Sequence, residues 1–371
     1  MKVLQLIKTS VGANWAYRQM RELVKLGLEV HVAMPVDGPL VREYTECGVV
    51  VHPVLYSLSQ IVTSCKQLQQ IVKEVNPDII HSHFVLTTLI MRIALRSDKR
   101  PRIFQVPGPL HLENLFFRKL DLWTSQSNDV WVGSCKWTNE CYASNGVSRD
   151  RLFLSYYGND IMYKKSNIHN KIRKELNLSD DAILIGMVAY MYAPKFYLGQ
   201  TRGLKGHEDF IDAITLVAQK YPKVYGICIG GAWDNADKYE HKVKKYATKR
   251  TDHVYFLGTR SDIPDLYADL FCVVHPSHSE NLGGAAESLA VGVPTIATRV
   301  GGFPDIIIDK KTGLLVPPKN PEILAQTIIK CIEHPFELSE YSKKGEELVK
   351  DMLDVRNTAF SMWEIYNKIL H

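Results

Sequence analysis

Glu280 and Glu287 stand on either side of the glycine pair Gly283 and Gly284, and their surroundings suggest what these residues can do. The apolar run 270–274 reads as a buried parallel strand, 285–291 as a helix and 293–298 as the next strand, which places both acids at a strand-to-helix turn. A helix start presents unpaired N–H groups and partial positive charge to an anion, and glycine has no Cβ to hold a phosphate away. The turn Asn281, Leu282, Gly283, Gly284 is therefore expected to hold a diphosphate. Carboxylates repel phosphate but accept strongly from neutral hydroxyls. A ligand combining a diphosphate with several hydroxyls is a nucleotide sugar. Without such a ligand, Glu280 would be a helix cap and Glu287 part of a solvated helix face.

Lys205 opens a Lys-Gly-His-Glu sequence ahead of a helix expected at 209–220, where a cation could neutralise a leaving diphosphate. His81 and His83 lie on one side of an extended segment, but no third ligand stands at a recognisable metal spacing. No Asp-x-Asp pair is present to hold a divalent ion against a diphosphate, so no metal and no cofactor are expected. Gly12 follows the first strand without forming a G-x-G-x-x-G fingerprint, which argues against a dehydrogenase.

The elements that must position these groups alternate from the first residue. Strands are expected at 3–7, 29–34, 77–81, 102–106, 129–133 and 152–156, then at 182–188, 224–229, 253–257, 271–275 and 294–297. Intervening helices include 17–26 and 171–176. That order predicts parallel sheets with helices on both faces. Ligands of such sheets lie at the carboxyl ends of the strands, where Gly12, His111, Gly230, Gly258 and Glu280 fall. A polar linker is expected at 164–170. Residues 359, 362, 363, 366, 369 and 370 are apolar at helical spacing and give the carboxyl terminus one buried face.

The 371 residues exceed what one core usually holds. Two domains follow, 1–165 joined by 355–371, and 166–354. An apolar fraction of 46% with no long uncharged apolar run describes a soluble globular chain without a spanning helix. The start is too short for a signal peptide, so a cytoplasmic address is the expectation. Seven cysteines without Cys-x-x-Cys spacing argue against disulfides or a thiolate zinc site. The net charge of +5 is scattered, which disfavours nucleic acid as a partner. Arg92, Arg96, Lys99, Arg100 and Arg102, followed by the segment 116–120, form a basic cluster that could meet the inner face of an anionic membrane as a peripheral contact.

The Glu280–Glu287 segment resembles the glutamate-pair motif of retaining glycosyltransferases of family four. Lys205 to Glu208, Val254 to Gly258, Gly301 to Ile306 and Thr312 to Pro317 resemble other pieces of that family in the same order. The resemblance spans nearly the whole chain and is most specific in the second half. It implies the GT-B fold, two Rossmann-like domains facing a central cleft with the last helix crossing back onto the first. It implies transfer of a sugar, with retention, from a nucleoside diphosphate sugar, a UDP-sugar by expectation, to a hydroxyl of a glycan or lipid-linked acceptor.

By the same resemblance Glu280 contacts the donor sugar, Glu287 the ribose, Gly12 the donor phosphates, and Thr259 and Arg260 the base pocket. Gly230 lets the backbone pass near the donor. The family pairs the lysine with an upstream arginine; here the enlarged segment 190–204 offers Lys195 and Arg202 instead. The family's histidine before a glycine is replaced by Pro107, and His111 stands nearby as a candidate at the reacting face. The family spaces its glutamates by seven residues, whereas six, Asn281 through Ala286, separate them here. Two other readings fit the architecture, a nucleotide-sugar epimerase and a non-catalytic nucleotide-sugar-binding relative.

Overall fold

The structure, a computed structural model, describes residues 1–160, 169–196 and 199–371. It divides into two compact units, Met1–Ile161 with Asp351–His371, and Met162–Lys350. The linker expected at 164–170 lies, up to residue 168, outside the described residues.

In the first unit seven strands are described: β1 (Lys2–Leu6), β2 (Glu29–Met34), β3 (Val50–Pro53), β4 (Ile79–Ser82), β5 (Arg102–Val106), β6 (Asp129–Gly133) and β7 (Leu152–Leu154). They pair in parallel in the order β3-β2-β1-β4-β5-β6-β7. The central strands are buried along their length, as a sheet covered on both faces requires. The second unit has six: β8 (Ile183–Val188), β9 (Val224–Ile229), β10 (Val254–Gly258), β11 (Cys272–His275), β12 (Thr295–Thr298) and β13 (Leu314–Val316). Their order is β10-β9-β8-β11-β12-β13, again parallel. The α/β class with two Rossmann-like parallel sheets is as the alternation of elements indicates. The sequence does not foretell β3 and β13. Each is a short edge strand with partly exposed residues, so neither shows a run long enough to read.

The carboxyl-terminal helix Val355–Leu370 packs Ala359, Met362, Ile365 and Tyr366 into the core of the first unit beside Ile7, Ala16 and Met20. Its polar anchor is Tyr366, whose hydroxyl accepts from Gln5 Nε2 at 2.9 Å and lies 2.6 Å from His81 Nδ1. His83 Nε2 donates to Gln5 Oε1 at 2.7 Å, and the two imidazoles stack with centroids 4.2 Å apart. Burial holds the His83 pKa down at about 3 and lowers that of His81 too, so both rings are neutral parts of the core.

The basic cluster read as surface is corrected by the structure at two positions. Arg102 is completely buried, with Nε and Nη2 each 2.9 Å from Asp129 and Nη1 donating to the Leu95 carbonyl. Arg92 is buried against Asp121, its Nη1 2.6 Å from both the carboxylate and the backbone oxygen. An isolated charge inside a sheet-and-helix sandwich is untenable, so these two guanidiniums take buried carboxylates and carbonyls as partners. Arg96 and Lys99 remain exposed. No helix among the described residues is long and apolar enough to cross a membrane.

Candidate active site

The carboxyl ends of β8, β9, β10 and β11 open onto a cavity of about 310 Å³ within the second unit. Val188, Ile229, Thr259 and His275 line it, one from each strand end. Loops after adjacent parallel strands converge there because every strand points the same way.

Lys205 reaches this cavity through a glycine-dependent approach. Gly206 has φ 76°, and a Cβ on it would stand 2.1 Å from the Pro276 carbonyl oxygen. Only glycine lets the chain ahead of the helix His207–Lys220 lie against the segment leaving β11. Lys205 Nζ consequently forms an ion pair with Glu280 Oε2. Their side chains are 17% and 13% exposed. Burial opposes the ammonium charge, but the adjacent carboxylate outweighs it and the Lys205 pKa is raised. Glu280 Oε1 also accepts from the Asn281 N–H at 3.1 Å.

Gly283 begins the helix Gly283–Ala290 at φ 44°, and a Cβ there would fall 2.7 Å from Glu280 Cδ. The glycine therefore keeps room for the carboxylate beside the helix start. Gly284 lines the cavity, as does Glu287, so the six-residue interval keeps both carboxylates on one pocket. Asn281 and Leu282 complete the turn. His275, at the end of β11, has Nε2 3.1 Å from Ser288 Oγ; burial, with Lys205 nearby, pushes its pKa down to about 3. It is a neutral polar wall whose role the sequence did not signal. Tyr190, Tyr192 and Ser277 also line the cavity unannounced by any motif. Their one clue is position after a strand end.

Gly230, Thr259 and Arg260 line the same cavity. Arg260 is held by Asp262 at 2.8 Å through both Nε and Nη2, and by Glu175 at 2.8 Å. Lys195 and Arg202 do not line it. Arg202 is engaged by Asp209 and Asp212 and donates to the Tyr246 hydroxyl at 3.2 Å, which makes it a clamp on its own loop. Asp209 receives His278 Nε2 on its other oxygen, so one buried carboxylate ties this loop to the segment carrying Glu280. Lys195 is exposed.

Gly12 and His111 belong to the first unit. Gly12 is exposed at φ 76° beyond β1. His111 Nε2 lies 3.2 Å from the Tyr142 hydroxyl and 3.6 Å from Asp121 Oδ2. Burial alone would raise the Asp121 pKa, but His111, Arg92 and Tyr142 hold it at about 2. In this structure His111 is part of that buried network. Among the described residues no group of three His, Cys, Asp or Glu side chains is arranged to hold a metal.

Residues 195–348 match the family model described as glycosyl transferases group 1, and residues 12–161 match the model described as Glycosyltransferase Family 4. The capsular polysaccharide biosynthesis glycosyltransferase CapM of Staphylococcus aureus is 23% identical over 100% of this chain and 97% of its own. An uncharacterized glycosyltransferase of Methanocaldococcus jannaschii, MJ1178, is 24% identical over 87% of this chain and 85% of its own. Among solved structures, Anabaena Alr3699/HepE in complex with UDP superposes with a TM-score of 0.82 at 20% identity, covering 99% of this chain and 100% of that one. That likeness establishes the GT-B architecture.

Proposed function

We propose, from the premise that the chain belongs to the family 4 glycosyltransferases of group 1, that it transfers a sugar from a UDP-sugar to a glycan or lipid-linked glycan hydroxyl with retention of configuration. The observation that carries this reading is the gathering of Lys205, Glu280, Gly284 and Glu287 on one cavity. Lys205 and the N–H groups at the start of the helix Gly283–Ala290 suit a diphosphate, and the two carboxylates suit sugar and ribose hydroxyls. Lys205 and Glu280 pair with each other, so a bound donor would exchange that contact for one to each of its own parts. The choice of UDP is supported by the Anabaena neighbour, solved with UDP and with UDP-glucose. The glycan acceptor is supported by CapM, whose name assigns it to capsular polysaccharide biosynthesis.

In this reading the anomeric C–O bond to the diphosphate breaks while the acceptor oxygen bonds to the same carbon from the same face. The acceptor proton passes to the departing phosphate oxygen. Protein cations and amides carry the developing charge, so no cofactor or divalent metal is invoked. The test is a thermal-shift screen of nucleotide sugars followed by anomeric analysis of the product. UDP-sugars are expected to raise the melting temperature progressively above their Kd, and the new linkage to keep the donor's anomeric configuration. An inverted product refutes retention, and conversion of the donor alone to its epimer refutes transfer.

We further propose that the enzyme binds the inner face of a membrane as a peripheral protein. The helix Leu115–Thr124 exposes Leu115, Phe116 and Trp123 at 62%, 67% and 84%, with exposed Lys119 on the same side. Aromatic and basic residues on one helix face suit an anionic interface. Co-sedimentation with phosphatidylglycerol vesicles is expected to fall at least severalfold in a Phe116→Ser, Trp123→Ser double variant; equal recovery of variant and parent would discard the assignment.

A further inference from the structure

Tyr192 is set beside the diphosphate position by strand geometry. Beyond β8 the chain stays paired with the extension of β9: Ala189 N donates to Ile229 O at 2.9 Å, Met191 N to Gly231 O at 2.9 Å, and Trp233 N to Met191 O at 3.1 Å. Extended backbone alternates its side chains. Met191 is fully buried in an apolar cluster, and Tyr190 and Tyr192 turn the other way onto the cavity. Trp233 packs beside both rings, with centroids 4.9 Å from Tyr190 and 6.3 Å from Tyr192. The Tyr192 ring thus has a backbone anchor and a neighbour that fix its direction.

Lys205 Nζ, which pairs with Glu280, lies 5.6 Å from the centroid of the Tyr192 ring. The Tyr192 hydroxyl has no hydrogen-bond partner among the described residues. Burial, reinforced by Glu280 and opposed by Lys205, raises its pKa, so the phenol keeps its proton and offers a donor. Of the cations expected to join Lys205, Arg202 is taken by Asp209 and Asp212, and Lys195 does not line the cavity. The other cavity-lining cation, Arg260, is held by Asp262 and Glu175, and a diphosphate has more acceptor oxygens than the Lys205 ammonium and the helix-start amides can satisfy.

We propose that Tyr192 is a further catalytic residue, its hydroxyl donating a hydrogen bond to the donor's diphosphate alongside Lys205. This rests on the assignment of the cavity to a nucleotide sugar. The neutral donor takes the place that a second cation would hold, and its position beside Lys205 puts it on the oxygens that gain charge as the sugar departs.

Calorimetric titration of UDP and of uridine against the parent, Tyr192→Phe and Lys205→Ala proteins tests it. Tyr192→Phe keeps the ring and its packing, so folding is preserved and only the hydroxyl is lost. A hydrogen bond to a charged group corresponds to about a tenfold to hundredfold change in Kd. The expected result is that Y192F weakens UDP at least about tenfold by that measure and leaves uridine within about twofold. If Y192F binds UDP like the parent while K205A weakens it, the Tyr192 assignment is overturned and the donor cavity stands. If Y192F weakens UDP and uridine alike, the hydroxyl shapes the pocket rather than contacting phosphate, which also overturns it. If neither variant changes UDP binding, the cavity itself is misassigned.

Discussion

Replacing Lys205 by alanine is expected to lower kcat for sugar transfer by about 10²–10³, the range seen when one preorganised donor to a developing oxyanion is removed. Lys205 is the cavity-lining cation whose charged group meets Glu280 inside the pocket. Its raised pKa keeps it charged across the working pH range. A partly buried charge acts through a lower effective dielectric than water, so its loss is felt strongly in the transition state. Lys205→Arg retains the charge with a different shape and is expected to recover part of the rate, which separates electrostatics from packing. The measurement is steady-state transfer from the nucleotide sugar that gives the largest thermal shift. Turnover within about threefold of the parent in K205A would remove the basis for assigning leaving-group stabilisation to this residue.

The second large effect is on stability. Arg102→Ala is expected to destabilise the first unit by about 3–5 kcal/mol, because it takes from the buried Asp129 carboxylate its closest guanidinium and leaves only Arg92 Nε at 3.5 Å. Arg102 also satisfies the Leu95 carbonyl and the Gln126 side chain, so several polar groups lose a partner together. Two units need not unfold as one, so the quantity to follow is the transition of the first unit, read by proteolysis or hydrogen exchange. Removing both charges together, as Arg102→Met with Asp129→Leu, is expected to recover much of the loss, since no lone charge then remains inside. An R102A protein with unchanged stability would mean that the pair is hydrated and that the surface reading of this cluster was right after all.

Parallel sheets, the order of strands and helices, and a strand-to-helix turn bearing Glu280, Gly283, Gly284 and Glu287 were legible from the chain alone. Each depends on near neighbours: the two-residue strand period, the helical period, and the conformational freedom of glycine at a helix start. Lys205 was legible as well, because the residues around it carry a recognisable pattern. Tertiary structure alone decided that Arg102 points at a carboxylate 27 residues away and lies in the core. It decided that Arg202 is captured by Asp209 and Asp212, that His111 joins Asp121 and Tyr142, and that Tyr192 turns toward Lys205. The edge strands β3 and β13 belong to the same class, since pairing with a longer neighbour makes them strands. The division has one physical cause. Backbone conformation responds to adjacent residues, whereas the state of a charge or a hydroxyl depends on which distant group folding brings within reach and on how much water it leaves there.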